Sequence, residues 1–352
     1  MNKSIALVPL LCVLVAACSS DNGGADKTTQ ASCATQSSPA LSACWTKVAP
    51  EGSGGFPDDP GSFDTPKWEP GKFPLGLKPV IAFNDELWMT GRLSAWSSPD
   101  GLTWTKHDKA DSGERIYQTY AFFKGKLWFF GGLEYQSRQF LNDIWSSADG
   151  EHWENVGNAG WSPRSGATVI AFQDKLWLFG GANHAAQDRS SDGFLNDVWA
   201  SDDGLKWTQV TGAAPWAARD YANVVLFNDE LYLLGGQGQA DVWSSKNGKD
   251  WTQLTLAAPW KERQDYAALV FDGNMWVFGG WAGKSTNALN DVWYSENGTN
   301  WLQQTEHAPW TPRDPVSIVY KDKIWTFGGK HTGANPGWAG DIWTMSATPA
   351  AQ

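Results

Sequence analysis

Short apolar runs of four to eight residues recur along this chain, each bounded by glycine, asparagine, aspartate or serine. Residues 164 to 207 hold one full cycle. RSGATVIAFQ gives a first run, DKLWLFGG a second, LNDVWAS a third and, after DDGLK, WTQV a fourth. Runs this short, rich in aromatic and β-branched side chains, predict strands. Asp-Gly or Asn-Gly lies between third and fourth runs at 100–101, 149–150, 203–204, 247–248 and 297–298. These dipeptides accept positive φ and predict tight antiparallel hairpins.

The cycle repeats. Its second run returns as LWFFGG (127–132), LWLFGG (176–181), LYLLGG (231–236), MWVFGG (275–280) and IWTFGG (324–329), with a degenerate copy LWMTGR at 87–92. Its third run carries Trp96, Trp145, Trp199, Trp243, Trp293 and Trp343, spaced 44 to 54 residues apart. Four antiparallel strands repeated at about 50 residues predict an all-β fold of radial sheets, a six-bladed β-propeller. The last copy ends without a fourth strand. Cys44-Trp45-Thr46-Lys47-Val48 matches Lys206-Trp207-Thr208-Gln209-Val210, so the amino-terminal strand is expected to close the last blade and leave no open edge at the seam.

The Gly-Gly pair after an aliphatic-aromatic strand, with a tryptophan at a fixed distance beyond, resembles the kelch repeat over roughly residues 43 to 346. The resemblance implies a propeller like the central domain of galactose oxidase. The run Ser-x-Asp/Asn-Gly-x-x-Trp, as at 201–207, is similar to a shortened Asp-box of sialidase propellers and serves as a hairpin signal. Galactose oxidase chemistry needs two Tyr and two His on copper and a Tyr–Cys cross-link. Here no cysteine lies beyond Cys44 and the five histidines lack metal-ligand spacing, so no metal or other cofactor is expected.

The chain ends define the rest. Met1-Asn2-Lys3 and the apolar run Ile5–Ala17 read as a signal peptide, residues 1–17, too short to span a bilayer. Val15-Ala16-Ala17-Cys18 resembles the bacterial lipobox, which makes Cys18 the lipidated first residue of the mature protein. Ser19, where Asp would suggest inner-membrane retention, implies an outer-membrane lipoprotein, periplasmic or surface-facing, held by its lipid. Residues 18–42 are poor in large apolar side chains and predict a flexible tether. Cys33 and Cys44, in an oxidising compartment, are expected to form a disulfide. The propeller would occupy 43–346, with a long Gly/Pro-rich loop at 49–77 and a tail at 347–352. The formal charge of −11 argues against nucleic acid as a partner. A monomer is expected.

Arg115, Arg164, Arg219 and Arg263 each precede the first glycine of their pair by sixteen residues, and Arg313 by fifteen. A ring of guanidinium groups would suit an anion. However, the degenerate first copy lacks both this arginine and the third-run aspartate. Arg and Asp therefore occur together, which predicts ion pairs to Asp143, Asp197, Asp241, Asp291 and Asp341. Arg92 has no such partner and is a candidate free cation. Trp161, Trp216, Trp260 and Trp310 sit three residues before an arginine, as repeat packing would place them. Trp281 and Trp338 do not repeat. With Arg92, His184, Arg189 and His331, they are the candidate ligand contacts on a loop-rich face. These observations lead to a non-catalytic propeller binding glycan or protein. The alternative is a carbohydrate-active enzyme, similar to sialidases or to kelch proteins that epimerise sialic acid, with Glu134 or Glu114 beside Arg92. No catalytic residue is assigned.

Overall fold

The computed structural model describes residues 30–33, 44–49, 80–90, 94–108, 115–134, 136–183, 193–282, 287–331 and 337–347. The signal segment, Cys18, most of the 49–77 loop, Arg92, Glu114, His184, Arg189 and residues 348–352 lie outside them. The described residues form six antiparallel blades. Blades 1 to 5 begin with the first strands Val80–Phe83, Thr119–Phe123, Thr168–Phe172, Asn223–Phe227 and Ala267–Phe271. Each runs outward through three further strands. Blade 6 begins with Val316–Tyr320 and continues through Lys323–His331 and Gly337–Ser346. Its fourth strand is Cys44–Ala49, which pairs with Gly337–Ser346. First strands of neighbouring blades touch all round the ring, including blade 6 against blade 1. No helix of the described residues is long and apolar enough to cross a membrane.

One strand departs from expectation. Gln30–Cys33, inside the stretch read as tether, pairs with Cys44–Ala49 as a fifth strand of blade 6. Composition misses it because an exposed edge offers backbone N–H and C=O groups to any extended segment, whatever its side chains. The register sets Cys33 opposite Cys44. Their side chains, and hence the expected disulfide, lie outside the described residues.

Two repeated contacts join blade to blade. The second-strand aromatic of one blade stacks on the hairpin of the next. A Cβ on Gly248, whose φ is +71°, would come within 2.5 Å of the Trp177 ring, so the Asn-Gly turn serves both its own backbone and its neighbour's tryptophan. The hairpin is tied internally as well. Ser201 Oγ accepts the Gly204 N–H at 2.8 Å, Asp203 accepts the N–H groups of Leu205 and Lys206, and the Trp207 indole donates to the Gly204 carbonyl. Meanwhile Trp161, Trp216, Trp260 and Trp310 are almost fully buried. They meet the fourth-strand tryptophans Trp207, Trp251, Trp301 and Trp45 edge to face, with ring centres 5.8–6.4 Å apart. The repeat tryptophans are wedges between blades.

The arginines fasten these layers. Arg164 donates two hydrogen bonds to Asp197, at 2.6 and 2.9 Å, and a third to the Gly180 carbonyl at 3.0 Å. The same aspartate accepts the Trp199 indole N–H at 2.7 Å. The unit recurs with Arg115 on Asp143, Arg219 on Asp241, Arg263 on Asp291 and Arg313 on Asp341. In four blades the ladder of second and third strands shifts register between the Gly-Gly pair and the aspartate. Such a bulge re-aims a side chain, here the aspartate, toward its arginine. Arg219 is 1% exposed, so its pair lies in a medium where a lone charge is costly. Asp241→Asn is expected to destabilise the fold by about 3–5 kcal/mol, and the double change Arg219→Met/Asp241→Leu by much less. Urea unfolding of the three proteins measures this. Equal losses in single and double variants would show that the ion pair is not what matters there.

Candidate functional site

Just past each arginine the chain turns into its first strand, at the mouth of the central channel. The residue two beyond the arginine is left-handed in four blades: Tyr117 (φ 61°), Gly166 (62°), Tyr221 (52°) and Asp265 (51°). Glycine adopts this freely, whereas tyrosine there is a true outlier. Backbone bonds hold the arc in place. Gly166 N–H donates to Tyr117 O at 3.0 Å, and Tyr221 N–H to Gly166 O at 2.9 Å. A Cβ on Gly166 would sit 3.0 Å from Asp220 Cβ and 3.3 Å from the Tyr221 ring, so this glycine makes room for both neighbours. Tyr117 and Tyr221 meet edge to face at 5.6 Å across it.

These residues open onto a cavity of about 370 Å³. All six blades line it, with Tyr117, Tyr221, Asn223, Asp265, Asp314 and Thr168 among its walls. Two of its acids are unusual, and a third lies just behind them. Burial pushes the Asp220 carboxyl up to about 7, opposed by its own backbone N–H and reinforced by the charge of Asp265. Asp265 is raised to about 6 by burial. Asp314 is raised to about 7 by burial and by Asp265, against hydrogen bonds from the Lys330 backbone and the Trp281 indole. Asp220 Oδ1 is buried with no hydrogen-bond partner among the described residues. Tyr266 at the wall is raised to about 12 by burial and donates to the Leu234 carbonyl at 2.6 Å, which removes it from solution chemistry.

The structure sorts the sequence candidates. Trp281 reaches the mouth, bonded to Asp314, with Lys330 Nζ 5.9 Å from its ring centre. His331 is half-buried and bridges Arg313 through the backbone. The backbone of Trp338 pairs with Lys330, but its side chain lies outside the described residues, as do Arg92, His184 and Arg189. Glu134 binds the N–H groups of Ser137 and Gln136 in its own turn. Those bonds, first from Ser137, lower its carboxyl below the usual range. It is a loop cap, and a base needs the opposite shift. The sequence reading missed Tyr117, Asp220, Tyr221, Asp265 and Asp314. The available signal was the variable pair of residues after each constant arginine.

Comparison with known proteins agrees with this architecture. A model described as the DUF6242 beta propeller domain matches residues 152–264, and a Kelch motif matches 262–294. No curated protein matches the chain. A solved structure described as "Structure of YjhT" is similar with a TM-score of 0.64 at 17% identity, covering 77% of this chain and 97% of that one. At that identity the likeness concerns the fold alone.

Because the three acids hold their protons longer than in the unfolded chain, their burial favours the fold at low pH. That contribution is lost as pH rises from about 4 to about 7. Asp220→Asn should therefore stabilise the protein at pH 8 and change little near pH 4. Unfolding midpoints at the two values test this, and an equal effect at both would contradict a strained carboxylate. The ring of six blades among the described residues makes this chain a six-bladed β-propeller, and it carries a Kelch motif at 262–294.

Proposed function

We propose that this chain is a binding propeller, held to the outer membrane by a lipid on Cys18, that takes a hydroxyl-rich ligand such as a glycan at the channel mouth. The cavity between Tyr117, Tyr221 and Asp265 carries the reading. Strained backbone held in place by neighbouring blades is a mark of functional sites. Aromatic faces beside hydrogen-bond acceptors suit the apolar faces and hydroxyls of a sugar ring. At about 370 Å³ the cavity is sized for a small molecule or the end of a chain, in preference to a folded partner. An anionic ligand is disfavoured, because Arg115, Arg164, Arg219, Arg263 and Arg313 are all committed to aspartates.

The raised carboxyls of Asp220, Asp265 and Asp314 favour one second reading, a carbohydrate-active enzyme with one of them as general acid or base. Incubation of sialic-acid and galactose anomers with the protein, followed by NMR, would reveal it as accelerated interconversion.

A glycan array probed with the full-length protein, followed by titration of the hits, tests the binding reading. Tyr221→Ala and Trp281→Ala are expected to weaken binding at least about tenfold, the loss of one good aromatic contact plus its hydrogen bond. Unchanged binding in both variants would sink it. Anchoring is tested separately by metabolic labelling with a fatty acid, which Cys18→Ser should abolish.

A further inference from the structure

Among the described residues, the charge around the cavity acids is one-sided. Asp265 lies between Asp220 and Asp314, close enough for its charge to raise both. No hydrogen bond to the Asp265 carboxylate is found among the described residues, and Asp220 Oδ1 is buried without a partner. The guanidinium groups nearest this cluster, Arg219, Arg263 and Arg313, are each bound bidentately by another aspartate, with their remaining donors on backbone carbonyls. Lys330 is a further cation beside Trp281. Its Nζ lies over the Trp281 ring and forms no ion pair with the three acids among the described residues. Only its backbone N–H serves Asp314. Tyr117 and Tyr221 add aromatic side chains to the same wall.

A buried acceptor without a donor and a carboxylate without a counterion are each costly. A ligand that brings a positive N–H group to the wall supplies the counterion that Asp265 lacks and eases the field on Asp220 behind it, and the tyrosines beside the acids add cation–π attraction. We infer that the ligand of this cavity carries a protonated amine, as an amino-bearing saccharide does, and seats it against Asp265 with Asp220 and Asp314 behind. The inference rests on the binding reading above and narrows its ligand class. The described residues hold no group of three or more ligands arranged for a metal ion, which favours an ammonium over a divalent cation.

Two consequences follow from the acid cluster. Binding an ammonium drives Asp220, Asp265 and Asp314 toward their ionised forms, so complex formation releases protons near neutral pH. Affinity falls as the pH is lowered through about 7 to 6, where these acids take up protons. The other titratable groups facing them are Tyr266, which burial raises to about 12, Arg219, Arg263, Arg313, Lys330, Tyr117 and Tyr221.

Calorimetric titration of the full-length protein at pH 7 tests the inference. The probes are glucosamine, galactosamine and mannosamine against their parent sugars, each in two buffers of different ionisation enthalpy. The expected result is at least about tenfold preference for the amine of a pair, with heat that differs between buffers as protons are released. Asp265→Asn should abolish the preference and the proton release, and a preference unchanged in this variant would overturn the inference. Parent sugars binding as well as the amines would overturn the inference and leave the glycan reading standing. Failure of both series would overturn the two together. Calcium chloride alone binding in an Asp265-dependent way would overturn it in favour of a metal site.

Discussion

The arginine that five of the six repeats carry is the joint on which the wheel depends. Its guanidinium closes its own blade, reaching the third-strand aspartate and the carbonyl of the first glycine in the pair, as Arg164 does with Asp197 and Gly180. Its carbonyl faces the previous blade. Arg164, Arg219 and Arg313 accept the N–H of Gly132, Gly181 and Gly280 at 2.8–3.0 Å. A single residue thus ties strand to strand and blade to blade. The close approach also explains the glycines. A Cβ on Gly131 or Gly180 would come within 2.8 Å of the next blade's arginine carbonyl. Such buried pairs add little net stability over an apolar core. What they add is a fixed geometry, since a two-pronged bond plus an indole donor leaves one arrangement for four groups.

That commitment determines what the channel mouth can do. The same turn that buries the arginine brings the next one or two residues to the cavity wall. With the cations locked in the joint, the variable neighbours Asp220, Asp265 and Asp314 set the local field, and it is negative. Their burial keeps them partly protonated near neutrality, which makes them responsive to a positive ligand. The left-handed backbone of Tyr117, Tyr221 and Asp265 is a further cost that the ring of interblade bonds sustains. Scaffold and site are therefore one construction, with constant residues on the joint and variable ones facing the cavity.

The alternation of short apolar runs with Asp-Gly and Asn-Gly turns made the blades legible without coordinates, because strand period and turn chemistry are local. The pairing of arginine with aspartate was legible too, since blade 1 lacks both. Closure by Cys44–Ala49 followed from matching one strand to its copies. Gln30–Cys33 was not legible, because backbone pairing along an edge needs no apolar pattern. The wedge tryptophans were readable as repeat positions, but their partners in the neighbouring blade were not.

By itself, then, the sequence determined the number of blades, the seam and the structural fate of most tryptophans and arginines. Each of these is repeated or local, and comparison between copies exposes it. The tertiary structure alone decided where the unrepeated residues meet. Asp220, Asp265 and Asp314 lie 45 and 49 residues apart along the chain, and no local pattern links them. Only closure of the ring brings three different blades to one cavity and turns three ordinary-looking aspartates into one buried, mutually repelling cluster. Desolvation and charge coupling depend on what surrounds a group in space, and a propeller assembles that surrounding from the first strand of every blade.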